Sequence, residues 1–479
     1  MEGKQYQIKT DIDPSIYRGY DIRGLVDEQL DEDAYYTFGR ALATLLTRKR
    51  VHQTQVGHDV RLSSKRFAQA IIAGLNDGGI NTIDLGETLT QVTYYSVYRF
   101  TNKSAVMITA SHNPKEFNGL KVSTGYSETF QTQEIQDFKD LVASGDFIEP
   151  EKCGVNMGYD IKSDYIEDII KRIRLKKRWR VVVDGCNGGA GRLCAEIFRK
   201  AGCEVVEQNT EPDGNFPLGA PDPTEVDALE RLGEGVRSSG ADIGFAFDAD
   251  GDRMAVVDEH GQPLFMDMTI AILAKDILRS IPGATIVYNT LCSRVVPEVI
   301  EQAGGQSVIW LTGHAFIKKK AAEVGAPFSG ELSGHTFFSD NFYGHDDGAN
   351  ASLRLLKALE RSEQTLGEAM AGLPRYISSP EIKLGMADNI KFQFINTVIQ
   401  DAFRSKWPGG EFTTIDGVRV DLPDRMAIVR ASQNGPYITV KFEGKTEEVY
   451  NEVKETLSDM LHSHSEISWD TGVNIDALG

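Results

Sequence analysis

The stretch Gly240–Leu264, GADIGFAFDADGDRMAVVDEHGQPL, sets two apolar runs, FAF and MAVV, on either side of an acidic loop. Short apolar runs bounded by Gly, Asp and Pro read as buried strands, so the loop sits at a strand terminus and is anchored at a sheet edge. Asp248, Asp250 and Asp252 alternate along it, with Gly251 loosening the backbone between them. In an extended loop such alternation turns several carboxylate oxygens onto one hard cation, and all-oxygen ligation favours Mg²⁺ or Ca²⁺ over zinc. Two other chemical readings compete. With Glu259 these aspartates fit several positions of an EF-hand loop, but Arg253 stands where that loop needs glycine and the flanks are strand-like. A phosphatase-type DxD pattern would make Asp248 a nucleophile and Asp250 its acid/base, yet Asp252 stands where that pattern has threonine or valine. The bland reading, an acidic surface turn, is disfavoured by the apolar flanks.

Outward from this loop, apolar runs alternate with amphipathic stretches through roughly three quarters of the chain, the pattern of α/β units. RWRVVVDGCNGGAG reads as a strand entering a glycine-rich turn, and LCAEIFRKAG as a helix stopped by glycine. Nearer the start, FGRALATLLTRKR has helical spacing with basic residues in its last turn, and KSAVMITA is a buried strand running into the turn SHNP. Beyond the acidic loop, MTIAILAKDILRSI, GATIVYNT, HAFIKKKAAEVGA and GANASLRLLKALERS repeat the logic. After about residue 376 the texture changes to EIKLGMAD, TTIDGVRVDLPDRMAIVRASQNGPYITVKFEG and a closing helix TEEVYNEVKETLSDML, an antiparallel sheet carrying helices. The expected domains are 1–160, 161–262, 263–376 and 377–479, packed around one central cleft.

Composition narrows the classes of function. Of the 479 residues, 70 are acidic and 51 basic, giving a net charge of -19 that repels polyanions such as nucleic acid. A small anionic substrate remains open, because a cleft can carry local positive charge. The five cysteines show no CxxC spacing and are read as reduced core thiols. The polar amino terminus and the lack of a long apolar run point to the cytoplasm.

A second motif, TASHNP at Thr109–Pro114, follows the strand-like VMIT and precedes Asn118, Gly119 and Lys121. A serine at a strand end can carry a phosphoryl group if a cation offsets its charge and donors such as His112 or Lys121 steady the oxygens. Taken alone, the same four residues also suit a plain turn. No G-x-S-x-G elbow accompanies them, which counts against an acyl-transfer triad.

Together, TASHNP with its downstream NGLK and the loop DADGDR resemble the phosphoserine and metal-binding loops of the α-D-phosphohexomutase family. RGYDIRG, DGNFP, TGHAFIKKK, GELSGH and the DDG at Asp346–Gly348 match further family segments in the expected order. GELSGH is closer to the form in bacterial phosphomannomutase/phosphoglucomutase than to that in phosphoglucosamine mutases. The resemblance implies three tandem α/β domains with mixed sheets and a C-terminal α+β domain of the TATA-binding-protein-like kind. It implies phosphorylation of Ser111, Mg²⁺ held by Ser111, Asp248, Asp250 and Asp252, and glucose 1,6-bisphosphate as activator. Arg23, Lys121 and His335 would join Ser111 in catalysis. Tyr20, His112, Arg253, Glu331, Ser333, His335, Arg430, Ser432, Gln433 and Asn434 would bind the hexose phosphate. The reaction would interconvert hexose 1-phosphate and 6-phosphate through a 1,6-bisphosphate, in a monomer or homodimer with no nucleic-acid or membrane partner. Phosphoglucosamine mutase and a non-catalytic sugar-phosphate sensor are the alternatives. The match weakens at Arg430–Pro436, RASQNGP, where Asn434 and Gly435 replace the family's usual threonine and glutamate. An amide and open backbone N–H groups there retain the means to bind phosphate oxygens.

Overall fold

The two apolar runs around the acidic loop form an antiparallel hairpin, Ile243–Phe247 against Met254–Val257, in register from Phe247↔Met254 to Gly244↔Val257. This geometry comes from a computed structural model, which describes residues 5–433 and 435–479. Arg180–Asp184 runs parallel to both Ile243–Phe247 and Glu204–Gln208, and Pro263–Leu264 closes the other edge, giving a five-stranded mixed sheet. The helices Ala190–Lys200 and Val226–Ser239 make the crossovers between its parallel strands. Phe198 stacks on Phe245 at 5.4 Å between ring centroids, and both are fully buried. Such a pair adds about 0.5–1.5 kcal/mol beyond its buried area.

Chain contacts divide the protein into two units, Met1–Met266 with Ser333–Ala369, and Asp267–Leu332 with Met370–Gly479. The first unit also holds a six-stranded mixed sheet. Its order is Ile22–Leu25, Phe117–Ser123, Ala105–Ile108, Gln53–His58, Asn81–Glu87 and Asn156–Gly158. Ala105–Ile108 is parallel to Gln53–His58 but antiparallel to Phe117–Ser123, so the serine motif becomes the link between two adjacent strands. The helix Glu32–Arg48 starts at Asp31, whose side chain accepts from the Ala34 N–H, and ends on Arg48, matching the helix dipole at both ends. Its Tyr35 stacks on Phe67 at 4.2 Å and donates its hydroxyl to the Gly119 carbonyl.

In the second unit, Thr285–Asn289 lies between parallel partners Gln306–Trp310 and Phe328–Gly330, with helices Val295–Gln302 and His314–Val324 in the connections. The C-terminal part is an antiparallel sheet in the order Glu411–Thr413, Val418–Leu422, Arg425–Ala431, Tyr437–Gly444, Ile382–Gly385 and Ser468–Val473. The helix Glu447–His462 buries Val453, Leu457 and Leu461 in that core. The chain is thus three tandem α/β domains followed by an antiparallel-sheet domain. One expectation is corrected: Cys186, Cys194, Cys203 and Cys292 are buried thiols, but Cys153 is exposed because it lies in the loop leading to the edge strand Asn156–Gly158. Among the described residues no helix is long and apolar enough to cross a membrane.

In the first unit, Asp347 caps the helix Gly348–Ser362 by accepting from the Asn350 N–H, and its other oxygen accepts from Tyr165 Oη. Burial outweighs these hydrogen bonds and pushes the Asp347 carboxyl from 3.8 to about 7. The native chain therefore holds a proton that the unfolded chain releases. This contribution to stability is complete below pH 3.8 and is lost as pH rises through about 7. Asp347→Asn is expected to flatten that decline. Urea unfolding at about pH 5 and about pH 8 should show the wild type losing more stability than the variant.

Candidate active site

Ser111 is fully buried and has a left-handed backbone, φ 50°. For a residue with a side chain this conformation costs about 1–2 kcal/mol, so the surroundings must impose it. Its N–H donates to Thr109 Oγ1 at 2.8 Å, and its Oγ donates to Asp248 Oδ2 at 2.9 Å and lies 3.2 Å from His112 Nδ1. The serine motif and the acidic loop, 137 residues apart in sequence, thus meet directly.

All three aspartates of the loop are fully buried. Lys121, on the strand that leaves the serine loop, places Nζ 2.8 Å from Asp250 Oδ2 and 2.5 Å from Asp252 Oδ2. Thr90 and Thr109 both donate hydroxyls to Asp250 Oδ2, at 2.6 and 3.2 Å. Burial opposes the Asp250 charge, but Lys121 and these hydrogen bonds prevail and hold its carboxyl below the ordinary range. Asp248 lies at the other extreme: burial, then Asp250 and Asp252, push it far up. Gly251, at φ 75°, makes the turn between the carboxylates, and a Cβ there would come within 2.8 Å of Gln91 Nε2.

The acidic loop fits a hard divalent cation. One oxygen from each aspartate lies within 4.8 Å of the others. Oδ1 of Asp250 and Oδ1 of Asp252 are buried without a hydrogen-bond donor among the described residues. Buried anionic oxygens are costly unless paired, and a cation would satisfy them.

Around this centre, Arg253 donates its N–H to Asp248 Oδ1 at 3.1 Å and its Nε–H to His335 Nε2 at 2.9 Å. Because Nε2 accepts, the neutral His335 ring carries its proton on Nδ1, which lies 3.1 Å from Asp346 Oδ2. Arg23 is anchored on Asp21 Oδ2 by Nε and Nη2 at 2.9 and 2.8 Å, and Nη1 donates to Asn113 Oδ1 in the serine loop at 2.7 Å. Tyr20 is buried. His112 and Ser333 are half-buried.

Glu331, Arg430, Ser432 and Gln433 belong to the second unit. Glu331 Oε1 accepts from the Gly313 N–H at 3.0 Å. Asp416 Oδ2 gathers Arg430 Nε at 2.9 Å, Thr290 Oγ1 at 2.8 Å and the Thr312 N–H at 3.0 Å. The Ser432 N–H donates to the Tyr437 carbonyl at 3.0 Å, and Gln433 is half-buried. Asn434 lies outside the described residues. Lys391, remote in sequence, reaches the same loop by donating to the Gly435 carbonyl at 2.6 Å.

Sequence reasoning missed Thr90, Asp416 and Lys391, and it gave Thr109 no role of its own. Thr90, Asp416 and Lys391 stand outside any motif, and Thr109 lies within TASHNP but reaches Asp250 from 141 residues away. Asp416→Ala would leave the Arg430 charge buried without its carboxylate, an expected loss of about 3–5 kcal/mol. Denaturant unfolding of the variant beside wild type measures it.

Comparison with known proteins agrees with this geometry. Residues 15–149, 163–261 and 266–376 match the family models for phosphoglucomutase/phosphomannomutase alpha/beta/alpha domains I, II and III. A phosphomannomutase/phosphoglucomutase of Pseudomonas putida is 37% identical over 447 residues, 93% of this chain and 95% of that one. A phosphoglucomutase of Neisseria gonorrhoeae is 33% identical over 456 residues, 95% and 98% of the two chains. The crystal structure of a phosphoglucomutase/phosphomannomutase family protein from Burkholderia thailandensis superposes with a TM-score of 0.86 at 33% identity, covering 94% of this chain and 98% of that one. With its serine and its three aspartates gathered in one buried centre, the chain belongs to the phosphoglucomutase/phosphomannomutase family, the α-D-phosphohexomutases.

Proposed function

We propose that the chain is a phosphohexomutase acting on mannose and/or glucose phosphates, with Ser111 as the phosphoryl carrier. The observation that carries this reading is the buried Ser111 Oγ held 2.9 Å from Asp248 Oδ2, beside two further carboxylates and Lys121. A phosphoryl carrier needs such a water-poor setting together with cations that offset its charge.

In the proposed cycle, the free hydroxyl of a hexose monophosphate attacks the phosphorus of phospho-Ser111. The new O–P bond forms as the Oγ–P bond breaks, and Ser111 Oγ leaves with the electron pair. The attacking hydroxyl gives up its proton as the new bond forms, and Oγ takes up one proton in exchange, giving the Oγ–H···Oδ2 hydrogen bond to Asp248 described above. The 1,6-bisphosphate presents its other phosphate to Ser111, the reverse transfer follows, and the isomer departs. Mg²⁺ bound by Asp248, Asp250, Asp252 and a phosphoserine oxygen would offset the charge of the transferring group. Lys121 fixes Asp250 and Asp252, Arg23 orients the serine loop through Asn113, and His335 holds the Arg253 guanidinium by accepting from its Nε, with Arg253 assigned to phosphoryl oxygens. Glu331 and Ser333 are assigned to sugar hydroxyls. Arg430, Ser432, Gln433 and Asn434 are assigned to the phosphate that is not reacting. Glucose 1,6-bisphosphate is assigned as the activator that primes Ser111.

The names of the relatives and the GELSGH loop favour mannose and glucose over glucosamine phosphates. We place the protein in the cytoplasm, as a monomer or homodimer. A phosphatase reading with Asp248 as nucleophile is disfavoured by the Ser111–Asp248 contact, and a pure sensor would not need a buried serine at the metal-binding loop.

Phosphorus NMR with Mg²⁺, a trace of glucose 1,6-bisphosphate and, separately, mannose, glucose or glucosamine 1-phosphate tests the assignment. Conversion to a 6-phosphate should fall by on the order of 10⁴-fold in Ser111→Ala. Chelation by EDTA should abolish it reversibly. Free phosphate that survives the Ser111 change would transfer the nucleophile's role to Asp248, and no turnover of any sugar would favour the sensor.

A further inference from the structure

Arg61 lies in GHDVRLSS, residues 57–64, a segment without an assigned role, and its side chain is fully buried. Nη2 donates to the carbonyls of Ser111 at 2.7 Å and Asn113 at 2.6 Å. Nη1 donates to those of Pro114 at 2.7 Å and Phe117 at 3.0 Å. Nε completes the set on Asp59 Oδ2 at 3.2 Å, while Asp59 Oδ1 accepts from the Arg61 N–H and from Ser64 Oγ. The Phe216 ring lies 5.0 Å from Cζ, over the guanidinium. All five N–H donors of the planar fork are thereby used, three of them on carbonyls of the serine loop and one on the carbonyl of Phe117, which opens the following strand.

Ser111 is consequently clamped on both sides of its strained α-carbon: its N–H is held by Thr109 Oγ1 and its carbonyl by Arg61 Nη2. That conformation is what aims Oγ at Asp248. We infer that Arg61 is a positioning residue for the nucleophile, setting the rate of phosphoryl transfer to and from Ser111 without touching sugar or phosphate. The inference rests on Ser111 being the carrier. Lysine cannot reproduce the arrangement, because its point charge cannot span four carbonyls, whereas free guanidinium can refill the same site.

The test compares wild type, Arg61→Lys and Arg61→Ala in steady-state mutase kinetics and in phosphoryl transfer from glucose 1,6-bisphosphate to Ser111, read by intact-protein mass. Both variants are expected to lose on the order of 10²-fold in kcat and in the rate of serine phosphorylation, with KM within about threefold of wild type. Millimolar guanidinium should restore part of the Arg61→Ala rate and do nothing for wild type. Circular dichroism gives the folded fraction, and Arg61→Lys keeps the buried charge should the alanine variant fold poorly. Unchanged kcat in folded variants overturns the inference, as does a loss that follows the folded fraction and does not respond to guanidinium. A wild-type protein with no turnover of any hexose phosphate overturns the mutase reading first, and this inference with it.

Discussion

The first unit is organised around one buried charge problem: three carboxylates within reach of each other and a single lysine placed against two of them. Lys121 is 4% exposed and Asp250 and Asp252 are wholly enclosed, so neither side can exchange its partner for water. Isolating any of these charges would cost several kcal/mol, and the contact therefore fixes where the strand Phe117–Ser123 lies against the hairpin that bears the acidic loop. The serine loop begins at the neighbouring strand, so its position relative to the carboxylates follows from the same contact. The uneven treatment of the aspartates follows as well. Asp250, next to Lys121, is held ionised, while Asp248, on the side of Ser111, is burdened by two neighbours of its own sign.

Much of this was legible in the sequence, for identifiable reasons. Alternating carboxylates between two apolar runs leave few options other than a hairpin with an acidic tip, and Ile243–Phe247 and Met254–Val257 form one. KSAVMITA and RWRVVVDG became strands, and LCAEIFRKAG became a helix, because length, branching and glycine stops all agreed. The antiparallel C-terminal sheet was signalled by the change of texture after about residue 376, in EIKLGMAD and TTIDGVRVDLPDRMAIVRASQNGPYITVKFEG. What could not be read were contacts whose only signature is three-dimensional. Nothing about Asp416 in TTIDGV says that it meets Arg430, Thr290 and Thr312, and nothing about Thr90 says that it donates to Asp250. Likewise Cys153 was misjudged, because composition cannot tell a loop thiol from a core one.

The two units handle their arginines differently. In the first, Arg23 is braced by Asp21 and turns a terminal nitrogen to Asn113, so its reach is spent partly on the loop that carries the serine. In the second, Asp416 takes Arg430 by Nε and ties it to the Thr290 hydroxyl and the Thr312 N–H through one carboxylate oxygen. A guanidinium gripped at Nε keeps its plane fixed while its terminal nitrogens point the other way, a geometry suited to forked recognition of oxyanions.

Thr109 sits two residues before Ser111 with a hydroxyl of similar intrinsic reactivity. Its oxygen accepts from the Ser111 N–H, and its proton is given to Asp250. An alcohol committed in both directions has no freedom to turn toward a phosphorus atom, whereas the Ser111 hydroxyl points toward the aspartate beside the cation site. The loop thus contains two alcohols, and the proposed cycle uses only Ser111 as the address for the phosphoryl group. That selectivity comes from how neighbouring hydrogen bonds are assigned rather than from any difference in the chemistry of serine and threonine.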